Sequence, residues 1–139
     1  MERLIDVQTL KELTASSGAA RLDCPCQRRD LSGWGDWPIG FHEEDFMRLG
    51  TLSRYAPEES TLDEYHPGGT NYWSSNAPVA PQYYPYNQST VWQCASCERI
   101  YLRHNDDGAY HVASRVRSVE ATLIVDAAHA HNGRESAAG

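Results

Sequence analysis

Apolar residues at the start of the chain recur at helical spacing. Leu4, Val7, Leu10 and Leu13 fall on one stripe, and Gly18 follows as a stop, which predicts an amphipathic packing helix over residues 4 to 17. Small residues from Ala15 to Ala20 then lead into Leu22-Asp23-Cys24-Pro25-Cys26. The stretch Leu31 to Gly40 is rich in glycine and reads as turns, with Trp34 and Trp37 as aromatic lids over a small core. Glu43 to Leu49 reads as a short helix that turns Phe46, Met47 and Leu49 inward and ends at Gly50. A second short helix is expected to start at Pro57, with Glu58 and Glu59 in its first turn, and to end by His66.

Residues 66 to 90 break all periodicity. Pro67, Gly68, Gly69, Pro78, Pro81 and Pro85 exclude a helix or central strand there. Tyr72, Trp73, Tyr83, Tyr84 and Tyr86 argue equally against a loose linker. An ordered loop is expected, its rings partly buried and its hydroxyls hydrogen-bonded, and it is a candidate contact surface. From Thr90 the pattern is that of strands: Val91 to Gln93, then Arg99 to Arg103. A hairpin turn is expected at Asn105-Asp106-Asp107-Gly108, Tyr110, Val112 and Val116 alternate on the returning strand, and Thr122 to Val125 reads as a last strand. The fold class is therefore α+β: a small antiparallel sheet near residues 90 to 125, two or three short helices and a long aromatic, proline-rich loop. A single domain is expected over residues 1–126, followed by a fraying tail over 127–139 that carries His129 and His131.

The cysteines add chemistry to this outline. Cys94 and Cys97 form a CxxC turn between two strand-like runs, and the remaining two, Cys24 and Cys26, form a second close pair around Pro25. Four thiols in two pairs suit one tetrahedral zinc site, with disulfides, plain buried thiols, iron or redox work as alternatives. His104 and His42 are substitutes should one cysteine not be a ligand. A site closed by four thiolates leaves no position for water or substrate, so it would be structural. No signal-peptide core or membrane span is visible, which makes the cytoplasm, where thiols stay reduced, the expected compartment. With 40% hydrophobic residues and a mean hydropathy of −0.62, a chain of 139 residues would gain folding free energy from such a cross-link.

Catalytic patterns fail on inspection. His42-Glu43 begins like HExxH, but Phe46 stands in the second histidine's place. The deaminase pattern, a phosphate-cradling glycine loop and a GxSxG elbow are all absent. Cys24-Pro25-Cys26 lacks the βαβ context of a redox motif, and Asp106-Asp107 is more simply a turn than an acid–base pair. The expectation is a protein that is not an enzyme and has no small-molecule substrate.

Charge points toward a partner. The net charge is −7, and between residues 36 and 64 eight acids (Asp36, Glu43, Glu44, Asp45, Glu58, Glu59, Asp63 and Glu64) stand against Arg48 and Arg54, leaving −6 of that total in one segment. This is either a solvated, solubilising surface or an acidic face that steers a basic protein. The expected contact residues are Glu43, Glu44, Asp45, Glu58, Glu59, Asp63, Glu64, Tyr72 and Trp73. The reading is a cytoplasmic zinc-binding interaction module, in its specific form an immunity or antitoxin-type protein that neutralises a basic toxin. Two alternatives stand beside it. One is a zinc enzyme with an open site on Cys24, Cys94 and Cys97 plus water. The other is a transcription-associated accessory that binds nucleic acid through Arg99, Arg103, Arg115 and Arg117, against which the negative charge argues.

The segment Trp92-Gln93-Cys94-Ala95-Ser96-Cys97-Glu98-Arg99-Ile100-Tyr101 resembles half of a zinc-ribbon or rubredoxin-type knuckle. About a dozen residues carry the likeness, and the usual second CxxC is replaced by the upstream CxC, so the resemblance implies the metal and the hairpin and no activity. Glu64 to Trp73 and Tyr84-Pro85-Tyr86-Asn87 look like segments of small uncharacterised bacterial proteins.

Overall fold

The computed structural model describes residues 3–16, 24, 26, 31–38, 40–53, 61–107 and 112–126. Over these residues β-forming side chains pair into a five-stranded antiparallel sheet. Its strands are β1 (Gly35–Asp36), β2 (Phe46–Thr51), β3 (Thr90–Cys94), β4 (Ile100–Asp107) and β5 (Val112–Ser118). Their spatial order is β1-β5-β4-β3-β2. The one α-helix among the described residues, α1 (Val7–Ser16), matches the helical stripe at the start of the chain. Asp6 caps it, its carboxylate accepting a 2.8 Å bond from the Thr9 N–H.

Successive side chains on a strand point to opposite faces, and the pairing register sorts them into two cores. Val91, Ile100 and Leu102 face one side, where they meet Ile5, Leu10, Trp34, Leu52, Val79, Tyr86, Val119 and Ile124. Trp92, Cys94, Tyr101 and Val116 face the other, where they meet Leu31, Phe46, Trp37, Phe41 and the remaining cysteines. The central strands are thus buried on both sides, and among the described residues only the first side has an α-helix over it.

The aromatic loop covers the first face as expected, and several of its polar groups are satisfied. The Tyr86 hydroxyl accepts a 2.5 Å bond from Arg117 Nη1, and the Tyr72 hydroxyl lies 2.7 Å from His104 Nε2. Asn87 donates to the Thr61 carbonyl and the Tyr84 N–H to the Asp63 carbonyl. No helix among the described residues is long and apolar enough to cross a membrane.

Four expectations about elements are corrected. Glu43 to Leu49 is not a helix: Glu43–Asp45 makes a single 3-10 turn and Phe46 begins β2. Phe46 is buried while Met47 is half exposed, because pairing with β3 demands alternation and overrides local helical preference. Of the second expected helix, residues 54–60 lie outside the described residues, and 61–66 carry no helix. Asn105, Asp106 and Asp107 are not a turn: they are still paired in the sheet, with Ser114, Ala113 and Val112, and the rest of the expected hairpin turn, from Gly108, lies outside the described residues. Thr122 to Val125 is not a sheet strand. Ala121–Leu123 forms a 3-10 turn, and Ile124 makes one parallel bridge to Val79. The sheet also reaches back beyond residue 90 to recruit β1 and β2, and the tail over 127–139 is outside the described residues.

The N-terminal segment runs along the outer edge of β2, where Ile5 N–H donates to the Thr51 carbonyl at 2.8 Å and Thr51 N–H to the Arg3 carbonyl at 2.9 Å. Gly50 permits this approach: a Cβ there would lie 2.4 Å from the Arg3 carbonyl oxygen and 2.9 Å from Ile5 Cδ1. Backbone cannot yield as a flexible side chain can, so Gly50→Ala is expected to destabilise the protein by about 2 kcal/mol. Urea unfolding checks this as a lower midpoint at unchanged slope.

Candidate metal centre

The second core is built around sulfur. Cys94 ends β3 opposite Phe46, and Ala95-Ser96-Cys97 turns tightly beneath it. The turn closes with Glu98 N–H donating to the Cys94 carbonyl at 2.8 Å and Cys94 N–H to the Arg99 carbonyl at 3.0 Å. Glu98 sits at φ 68°, a left-handed conformation that swings the chain back into β4 at a cost of about 1 kcal/mol for a non-glycine residue. The backbone around Ser96 and Cys97 directs N–H groups at the Cys94 sulfur, which favours its thiolate. The acidic turn is tied to this knuckle, since Ala95 N–H donates to the Asp45 carbonyl at 2.9 Å.

Cys24 and Cys26 arrive from the segment after α1 and complete the set. Cys24 Sγ lies 3.6 Å from Cys94 Sγ, and Cys26 Sγ lies 3.5 Å from Cys97 Sγ. All four sulfurs are within 4.8 Å of one another, and all four residues are buried. The cysteines are free thiols, far beyond the roughly 2.05 Å of a disulfide. A tetrahedral ion with metal–sulfur bonds of about 2.3 Å separates its ligands by about 3.8 Å, so the spacing is that of a coordination shell. The four cysteines are therefore positioned to hold a metal ion. Cys24 and Cys26, the CxC pair, come as close to the common centre as Cys94 and Cys97 do.

The surroundings reinforce this. Burial pushes the thiols of Cys26 and Cys94 above the ordinary range, and for each the neighbouring cysteines add to the rise. The Tyr101 hydroxyl donates to Cys26 Sγ at 3.1 Å, which works against the rise at Cys26. Tyr101 itself is held neutral by burial first and by Cys26 second. A sulfur cluster of this kind is neutral by itself, and a divalent cation would hold its thiolates by displacing their protons.

The two histidine substitutes are elsewhere. His104 is buried on the opposite face against Trp34 and Tyr72, and His42 is exposed ahead of the acidic turn. Of the acidic residues, Glu43, Glu44 and Asp45 are exposed beside the knuckle, while Asp63 and Glu64 are exposed on the loop segment that covers the first face. Glu58 and Glu59 lie outside the described residues. Trp73 is 56% exposed and Tyr72 half buried.

The arginines expected on a solvent face are largely engaged. Arg117 is fully buried, a correction that removes it from any nucleic-acid surface. Arg115 pairs with Asp36, and Arg103 pairs with Glu43 at 2.9 Å while lying 4.2 Å over the Trp37 ring and 5.5 Å from Trp92. With Arg48 5.9 Å from Trp92, these form a cation–π stack roofing the sulfur core. The sequence held no signal for it: only the register sets Arg48 opposite Trp92 and Arg103 diagonal to it, opposite Thr90.

Comparison with known proteins finds no matching family model, no matching curated protein and no matching solved structure.

Because burial keeps at least the Cys26 and Cys94 thiols protonated in the metal-free fold, ion binding must release their protons, and affinity must fall as pH falls. The expected slope is a loss of about 100-fold per pH unit or more below neutrality. Competition against a chromophoric chelator across that range measures it, and a slope near zero would mean that these thiols are not displaced.

Proposed function

We propose that this chain is a non-enzymatic, zinc-stapled module that recognises another protein, with the ion serving the fold. The observation that carries this is the closed, buried set of four cysteine sulfurs within 4.8 Å. Four soft thiolates in tetrahedral spacing suit zinc, and a fourth sulfur occupies the position that an open, hydrolytic site would leave to water. What zinc supplies in such a site is a cross-link. It fastens the segment carrying Cys24 and Cys26 to the β3–β4 knuckle.

Recognition is supported by what the knuckle holds. Glu43, Glu44 and Asp45 project from a short turn bonded to Ala95, so an acidic, solvent-facing group is fixed to the most cross-linked part of the chain. A rigid acidic turn attracts and orients a basic partner, chiefly by speeding encounter. We read the partner as a basic protein in the cytoplasm, and the most specific form of this reading is an immunity-type protein capping a cationic toxin.

Two measurements test the parts separately. Elemental analysis of chain purified without added metal is expected to give one zinc per chain. Stripping it with a strong chelator is expected to remove the near-ultraviolet dichroism of the packed aromatics. A chain that keeps its tertiary signal after complete stripping would end the structural role. The variant Glu44→Lys/Asp45→Lys, which leaves the Glu43–Arg103 pair intact, is expected to keep its zinc. It should bind the partner recovered with the wild-type chain at least about tenfold more weakly, the shortfall shrinking in high salt. Unchanged partner binding by this variant would rule out the acidic turn as the contact surface.

A further inference from the structure

We propose that Arg117 is the floor of a binding site for a small oxyanion, a carboxylate or a phosphate, between the first face of the sheet and the 71–89 loop. Arg117 sits opposite Leu102 on β5, and its side chain enters the first core with no solvent exposure. A guanidinium stays protonated at any pH at which a protein folds, and buried charges are ordinarily paired. This one is not. Nη1 donates to the Tyr86 hydroxyl at 2.5 Å, Nη2 reaches the Ser75 carbonyl only at 3.4 Å, and Nε has no partner. Among the described residues no carboxylate forms an ion pair with it.

The unsatisfied edge has a specific shape. Nε and Nη2 form the side-on fork with which arginine grips a carboxylate or phosphate through two parallel bonds. A second donor lies close by. Trp34 is buried, its ring is 5.6 Å from that of Tyr86, and its Nε1 is directed toward the Tyr86 hydroxyl without completing a hydrogen bond of normal geometry. Both Arg117 and Trp34 bear on the Tyr86 hydroxyl in the sense that favours its ionised form, yet burial outweighs them and holds the phenol neutral. Tyr86 is therefore not the missing counter-charge. The site presents a fixed positive charge with an unpaired Nε–H but, among the described residues, no anionic acceptor, and its chemical complement is an oxyanion. Ser75, whose carbonyl is the acceptor at Nη2, and its neighbour Asn76 are both exposed, so the fork lies next to the surface of the loop.

The test compares the full chain with Arg117→Met, which keeps an unbranched apolar stem and removes the charge. In the absence of an anion the variant is expected to be at least as stable as the wild type, since an unpaired buried charge has been replaced by an apolar group. Acetate and phosphate are titrated separately against chloride at matched ionic strength. At an anion concentration about tenfold above its dissociation constant, the wild-type melting temperature is expected to rise by about 4 °C and saturate, and the variant's is not. A rise with acetate alone assigns a carboxylate ligand, and a rise with phosphate alone assigns a phosphate. The Arg117 Nε–H cross-peak in a proton–nitrogen correlation spectrum of the wild type, which needs no variant to fold, should shift along the same saturation curve. Equal rises in both proteins, or an Nε–H signal that neither anion moves, would overturn the proposal.

Discussion

A sheet buried on both faces must be covered twice, and among the described residues this chain has a single ten-residue helix with which to do it. That constraint organises everything else. On the first face α1 and the proline-rich loop supply the cover, using rings, a few loop hydrogen bonds and the edge pairing of the N-terminal segment with β2. On the second face the cover among the described residues is irregular: Leu31, the stretch around Trp37 and Phe41, and the residues at Cys24 and Cys26, none of them in an α-helix or a sheet strand. Irregular backbone offers few ladder hydrogen bonds, so something else must hold it down. Four sulfurs gathered at one point are positioned to take a metal ion there, which on the proposed function is that fastening, and the Arg48–Trp92–Arg103–Trp37 stack lies over the same core.

Much of the sulfur site was readable in the chain because its chemistry is carried by residue type. Four cysteines in two close pairs have few other uses in a polar chain, and flanking β-formers announce the knuckle. The helix over residues 4 to 17 was readable for a similar reason, since one stripe at one period suffices. Phe46 to Thr51 was not. Its local composition suits a helix, and only the presence of β3 as a partner, 39 to 48 residues away along the chain by the pairing register, makes it a strand. Arg117 was misread for a related cause. Alternation predicts one buried face, but β5 is covered on both, so Val116 and Arg117 are each fully buried and the period-two signal disappears.

The two faces solve the same problem with opposite chemistry. Beneath the second face lies a cluster of acidic ligand atoms, thiols that become thiolates when a cation is bound. Within the first lies a cationic guanidinium among tyrosines and a tryptophan. One core carries four sulfurs positioned to hold a metal ion, and the other a buried guanidinium for which we propose an oxyanion. Hydrophobic contact alone would have closed both cores with less demanding residues, and replacing an unpaired charge by an apolar side chain is commonly neutral or stabilising. Retained polarity at two separate points therefore calls for a reason other than packing at each.

The path by which the sulfur site acts on the surface is short. Cys94 ends β3, Ala95 follows it, and the Ala95 N–H holds the Asp45 carbonyl at the last residue of the acidic turn. From Asp45 the chain passes directly into β2, whose Phe46 pairs with Cys94 itself. The acidic turn is thus bonded on one side to the knuckle and continuous on the other with the strand that flanks it. Loosening the knuckle would free both ends of this arrangement at once, whereas the buried arginine on the far face is reached only through the width of the sheet. A cross-link at the sulfurs should consequently govern how firmly the acidic turn is held, and should leave the environment of Arg117 comparatively untouched so long as β4 and β5 stay paired.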